Sequence, residues 1–221
     1  MRYLALAADY DGTLSTNGVV DDPTLRALER FLASGRKLIM VTGRHLDDLK
    51  STCPHLELFS RVIAENGALL YDPASKNERL LAEATPAIFV DELRRLGVPI
   101  SAGKAIVATL RPHESTVVDL IHRQALKLNV IFNKDAVMVL PSGVDKGTGL
   151  TRALAEIGLS AQGVIGIGDA ENDLSFLELC GLSVAVANAL EMVKEQVVVV
   201  THALRGAGVA ELIEQVLADD V

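Results

Sequence analysis

The chain alternates short apolar runs with stretches where apolar residues recur every three or four positions. Residues 3–8 form the first run and predict a strand. Asp22-Pro23 then opens a helix, with Asp as N-cap and Pro at the first helical position. Leu25, Leu28, Phe31 and Leu32 form its apolar face, and Gly35 ends it. A strand over 37–42, a short helix over 45–52 stopped before Pro54, and a strand over 61–65 follow. Glu65-Asn66-Gly67 reads as a turn, and Leu69-Leu70-Tyr71 starts a return strand.

The middle of the chain has a different rhythm. Residues 73–79 are polar and read as a loop. A helix over 86–96 puts Phe89, Leu93 and Leu96 on one face, and Ala105 to Leu110 reads as a strand. Pro112 opens a second helix, with Val117, Leu120, Ile121 and Leu128 turned inward. Strands over 129–133 and 136–140 flank Asn133-Lys134-Asp135, a hairpin turn. From Lys146 the first rhythm resumes: a helix over 146–157 ended by Gly158, a strand over 163–167, and a helix over 172–179. A strand over 183–186, a helix over 189–195, a strand over 197–200 and a helix over 207–218 complete it. The alternation predicts an α/β layered fold. The α-β-α-β-β block at 83–140 is a smaller unit inserted into a main unit made of 1–82 and 141–221.

With 49% apolar residues in 221, a sizeable core is available, and without Trp it must be filled by Leu, Val, Ile and Ala. The net charge of -8 argues against non-specific nucleic-acid binding, which needs a basic footprint. No apolar stretch approaches the ~20 residues of a membrane helix. The two cysteines, Cys53 and Cys180, have no metal-ligand or CxxC spacing and read as inert reduced thiols. The first apolar run leads straight into acidic residues without the features of a cleaved signal, so a cytoplasmic setting is expected.

Those acidic residues are the candidate chemistry. The first strand ends in Asp9-Tyr10-Asp11-Gly12-Thr13-Leu14. Residues two apart on a strand point the same way, so Asp9 and Asp11 meet at its carboxyl end, where open α/β sheets place ligands. Two like charges held close need a cation or a proton between them. The pattern suits a metal-assisted nucleophile beside a general acid/base. Three further signals follow in order: Thr42 at the end of Leu38-Ile39-Met40-Val41, Lys146 at a helix start, and Asp169 and Asp173 after Ile165-Gly166-Ile167-Gly168.

Taken together, these four motifs resemble those of the haloacid dehalogenase (HAD) superfamily of phosphotransferases. The inserted α/β block resembles the subgroup of Cof-type sugar phosphatases, near sucrose-phosphate, mannosyl-phosphoglycerate and archaeal phosphoglycolate phosphatases and phosphomannomutase. The resemblance implies a doubly wound parallel sheet with a cap that closes over the site. It implies Asp9 as the nucleophile that forms an aspartyl phosphate. Asp11 would protonate the leaving alcohol and then activate water, its carboxyl kept un-ionised by crowding anions. Mg²⁺ would be held by the Asp9 carboxylate, the Asp11 main-chain carbonyl, Asp169 and a substrate oxygen, with Asp173 supporting the metal or the lysine. Thr42, the Gly43 N–H and Lys146 would hold phosphate oxygens.

Several residues keep two readings. Asn172 donates to phosphate or to a loop. Arg44 reaches substrate or forms a surface ion pair. Asn188 sits where related chains have Gly-Asn-Ala, with Ala187 in place of that Gly, and Gly206-Ala207-Gly208-Val209 departs from the usual Asp-Gly-Val. Arg111, His113 and Lys134 are the basic candidates of the cap. His45 and His55 have no metal-ligand spacing. The expected activity is hydrolysis of a small phosphorylated metabolite, a sugar phosphate or phosphoglycolate, by a monomer or weak homodimer without nucleic-acid or membrane partners. The alternatives are a phosphomutase or phosphotransferase with the same core, and a non-catalytic module of a longer protein.

Overall fold

A computed structural model describes residues 2–218. Its centre is β1 (Ala5–Ala8), a strand with every residue buried. A strand covered on both faces has no polar side to show, so it reads as an unbroken apolar run. β1 pairs in parallel with β2 (Lys37–Val41) on one side and with β10 (Val164–Gly168) on the other. β2 leads outward to β3 (Arg61–Ala64), and then the sheet reverses direction. The antiparallel β4 (Leu69–Asp72) and β5 (Asn77–Leu80) complete that edge. Beyond β10 lie the parallel β11 (Leu182–Ala185) and β12 (Val199–Val200), giving eight strands in one sheet.

Helices cover both faces. α1 (Asp22–Ala33) and α8 (Arg205–Ala218) pack on one, burying Leu28, Phe31, Val209 and Ile213 against Leu6, Met40 and Ile165. The other face is covered by α5 (Lys146–Ile157), through Leu150, Ala153 and Leu154, and by α6 (Leu174–Leu177), while the short α2 (Leu46–Thr52) and α7 (Glu191–Lys194) follow β2 and β11. The N-cap of α1 is Asp21, one residue earlier than predicted, because its carboxylate reaches the Thr24 N–H at 2.9 Å. α5 keeps its predicted bounds: Asp145 and Thr148 form a capping box, and Gly158 closes the helix in the left-handed region.

Between β5 and α5 the chain builds a second layer. α3 (Ala87–Arg95) and α4 (Glu114–Arg123) pack on a four-stranded antiparallel sheet of β6 (Ser101–Ala102), β7 (Val107–Leu110), β9 (Ala136–Pro141) and β8 (Leu128–Asn133). Phe89, Leu93, Val117, Leu120 and Val139 give this layer its own core. Ala68, Ala105, Ile106, Met138 and Leu140 form a small apolar seam between the two layers.

Four expectations change. Residues 77–79, read as loop, lie in β5: an outermost strand has no apolar face to reveal it. Leu96 is 40% exposed because α3 ends at Arg95, and Leu128 belongs to β8 rather than to α4. The helix predicted over 172–179 is a 3-10 turn, Glu171–Asp173, running into a single helical turn. No helix among the described residues is long and apolar enough to cross a membrane.

Candidate active site

Three adjacent parallel strands each deliver a polar residue at their carboxyl ends. Asp9 follows β1, Thr42 follows β2 and Asp169 follows β10. The connections after β1 and after β10 lead to opposite sides of the sheet, and such sheets open a crevice at that place. Asp9, Asp169 and Asp173 are buried there, with carboxylate oxygens within 4.8 Å of one another. Lys146, the first residue of α5, enters from the side and is 0% exposed. Its Nζ donates to Asp9 Oδ1 at 2.5 Å and to Asp173 Oδ1.

The electrostatics of this cluster are unbalanced. Burial pushes the Asp9 carboxyl well above the ordinary range, and Asp173 and Asp169 add to that push against the pull of Lys146. Burial likewise raises Asp169. Burial works against the Lys146 ammonium, yet Asp173 and Asp9 hold its pKa above the usual value. Three carboxylates therefore face one buried ammonium and a second, half-exposed one, Lys134, on Asp169, so the cluster still carries an excess negative charge that suits a further cation.

The donors fit a hard divalent cation: they are oxygens, clustered and buried, without His or Cys. Gly12 keeps the space open. Its φ is +88°, and a Cβ there would lie 2.6 Å from Asp169 Oδ2. Asp173 is less free than Asp9 and Asp169. Besides its bond to Lys146, its Oδ2 accepts from the N–H groups of Asp169 at 2.8 Å and Ala170 at 3.0 Å. Asp173 thus holds both the lysine and the loop that carries Asp169.

A family model described as haloacid dehalogenase-like hydrolase matches residues 6–94 and 104–213. The chain belongs to the haloacid dehalogenase superfamily. It is 31% identical over 221 residues to a phosphoglycolate phosphatase of Methanosarcina acetivorans, covering 97% of this chain and 96% of that protein. It is 28% identical to phosphoglycolate phosphatase 2 of Saccharolobus solfataricus, covering 97% and 93%. In fold it resembles a haloacid dehalogenase-like hydrolase from Bacteroides thetaiotaomicron, with a TM-score of 0.81, 22% identity, and 97% and 99% of the two chains covered. This HAD chain is a phosphatase with an inserted α/β cap, the second layer described above.

The remaining candidates of this HAD phosphatase divide in two. Asp11 is turned away from the acidic cluster. Its carboxylate takes a two-pronged bond from Arg44, Nε at 2.6 Å and Nη2 at 2.8 Å, so its neighbour is a cation and not the crowd of anions expected. Arg44, expected to reach substrate or lie in a surface pair, grips Asp11 with one edge and Asp48 and Thr52 with another. Thr42 Oγ1 accepts from the Arg44 N–H at 3.1 Å. Beside it, Gly43 faces the cap: a Cβ there would meet the Met138 methyl at 2.8 Å. Asn172 donates to Asn66 Oδ1 at 2.9 Å and so ties the loop after β10 to the turn after β3. Asn188 also ties loops, donating to the Gly12 carbonyl at 2.8 Å and accepting from the Arg205 N–H at 2.7 Å. Both cysteines are free thiols, and burial pushes Cys180 up to about 12.

Of the three basic candidates in the cap, one reaches the site. Lys134, with φ +55° in the β8–β9 hairpin, places Nζ 2.8 Å from Asp169 Oδ2. Arg111 pairs instead with Glu114 and lies over Phe132, and His113 precedes α4 without a side-chain capping bond. Three contributors escape a reading by motif. Thr13 donates to Asp169 Oδ1 at 3.3 Å, a role its place after Gly12 permits. Glu65 and Asn66, read as turn residues, are buried at the junction of cap and core.

Proposed function

We propose that this phosphatase hydrolyses a small phosphorylated metabolite, with phosphoglycolate ahead of sugar phosphates, through an aspartyl phosphate on Asp9 and with Mg²⁺ as cofactor. The observation that carries the reading is the buried Lys146 between Asp9 and Asp173, with Asp169 at the end of the neighbouring strand. A binding module has no use for three buried carboxylates at such electrostatic cost.

Each residue has a task in this reading. Asp9 Oδ attacks the phosphorus in line, and the bond to the leaving oxygen breaks. Lys146, Thr42 and the Gly43 N–H take the phosphoryl oxygens. Asp11, once released from Arg44 and turned to the leaving oxygen, supplies a proton to the departing alkoxide and then removes one from the water that hydrolyses the aspartyl phosphate. Mg²⁺, held by Asp9, Asp169 and the Asp11 carbonyl, would neutralise charge on the phosphoryl group. Residues 83–140 serve as the cap that excludes water and reads the leaving group. The named phosphoglycolate phosphatase relatives and a cationic Lys134 facing the site support a carboxylate-bearing substrate.

The test is phosphate release from 2-phosphoglycolate, hexose phosphates and p-nitrophenyl phosphate, without an acceptor sugar, in Mg²⁺ and in EDTA. Release that EDTA stops and Mg²⁺ restores is expected. Activity surviving exhaustive chelation rejects the metal, and transfer only to an added sugar identifies a phosphotransferase. Lys134→Met is expected to lower kcat/KM for 2-phosphoglycolate by about 10-fold or more while altering p-nitrophenyl phosphate far less. Equal loss on both substrates removes Lys134 from substrate reading.

A further inference from the structure

Glu65 is a charged residue where a turn needs none. It follows β3, is 1% exposed, and has φ +51°, with Asn66 at +54°. Two successive non-glycine residues in the left-handed region are costly, and such cost persists only where the surroundings impose it. The carboxylate explains what imposes it. Glu65 Oε1 accepts from the Lys104 N–H at 2.9 Å, and Oε2 accepts from Ala105 at 2.7 Å and Ile106 at 3.1 Å. Three consecutive main-chain N–H groups of the cap thus converge on one carboxylate of the core, an anion nest built across a boundary. Gly103 completes the cradle, since a Cβ there would lie 2.7 Å from the carboxylate atoms.

The same two residues grip the phosphate-binding end of the sheet. Glu65 N–H donates to the Arg44 carbonyl at 2.9 Å, and Asn66 N–H to the Thr42 carbonyl at 3.0 Å. Asn66 Oδ1 accepts from Asn172, in the loop after β10. Cap, β2 end and β10 loop are therefore bonded to one dipeptide. The apolar seam beside it has no directional preference, so polar contacts must fix register; the Glu65 carboxylate supplies three buried or half-buried ones, beside the more exposed Lys104–Glu78 and Lys134–Asp169 pairs.

We propose that Glu65 is a positioning residue. It seats residues 104–106 of the cap on the core, and through that seat it sets where Met138 and Lys134 stand over Gly43 and Asp169. It touches no reacting atom. The kinetic part of this inference rests on the phosphatase reading above, while the exchange part stands without it.

The test compares wild type with Glu65→Ala and Glu65→Gln by amide hydrogen exchange and by kinetics on 2-phosphoglycolate and p-nitrophenyl phosphate. In Glu65→Ala the amides of 104–106 should exchange at least about 10-fold faster, with β1 and α5 unchanged. For 2-phosphoglycolate, kcat/KM should fall roughly 10- to 100-fold, mainly through KM, while kcat for the aryl phosphate stays within about two-fold. Glu65→Gln keeps the volume and one acceptor oxygen, and should fall between; it carries the test alone if the alanine variant does not fold. Wild-type exchange at 104–106 in both variants overturns the proposal, as does an equal fall in kcat on both substrates from folded protein. Should 2-phosphoglycolate prove not to be a substrate, the phosphoglycolate reading fails, and the exchange rates of 104–106 alone decide for or against Glu65.

Discussion

Asp9→Asn is expected to abolish turnover of every phosphate ester, by a factor on the order of 10⁴–10⁶, while the protein stays folded. The substitution keeps the side-chain volume and removes one of three crowded negative charges. Its effect on stability has a sign that pH exposes. The folded-state pKa of Asp9 lies well above its ordinary value of 3.8, so the folded protein holds that proton more tightly than the unfolded chain. The associated stability is fully present below the unfolded pKa and is lost as pH rises through the folded one. Asparagine does not titrate and escapes that loss. In EDTA, therefore, the variant should melt above wild type at neutral pH, and the gap should narrow as pH falls towards about 4. Calorimetry across that interval measures it. A gap that widens on acidification, or measurable turnover in a clean preparation, contradicts the role given to Asp9.

Lys146→Met is the second large effect, with the opposite sign for stability. Methionine keeps most of the aliphatic stem and deletes the charge. Asp9, Asp169 and Asp173 then lose their one fully buried cation, and Asp173 loses the partner of its Oδ1. Breaking a buried ion pair from one side costs about 3–5 kcal/mol. For a chain of this size that lowers the metal-free melting temperature by about 6–20 °C. Added Mg²⁺ should close part of the gap by supplying charge to the same carboxylates. Turnover should fall at least roughly 10²–10³-fold, since a donor to the phosphoryl oxygens is gone as well. Wild-type melting in EDTA would show that the lysine is not the cluster's counter-charge.

The legible part of this protein is what its parallel strands carry. β1, β2 and β10 are buried on both faces, so each reads as an apolar run, and the first polar residue after each marks the crevice. Asp9, Thr42 and Asp169 stand out that way, and Lys146 by its order between Thr42 and Asp169. The illegible part consists of pairings between distant segments. Nothing local says that Arg44 will take the Asp11 carboxylate, or that a hairpin lysine, Lys134, will reach Asp169. Glu65 reads as a turn residue because the turn is local, whereas its three partners lie about forty residues on, in a segment with no motif. Asp21 took the cap of α1 from its neighbour Asp22 because capping depends on reach to a particular N–H, which two adjacent aspartates offer equally on paper.

The residues that hid β5 have a consequence of their own. An open sheet ends in a row of unpaired backbone groups, a standing invitation for a strand from another molecule to add on. At this end the last strand carries Asn77, Glu78 and Arg79. Glu78 is tied to Lys50 and Lys104, and Arg79 to Glu156. Any incoming strand would have to break these pairs and strip water from their charges. The polarity that makes the segment look like a loop is what keeps this edge from growing, and so from leading towards aggregates.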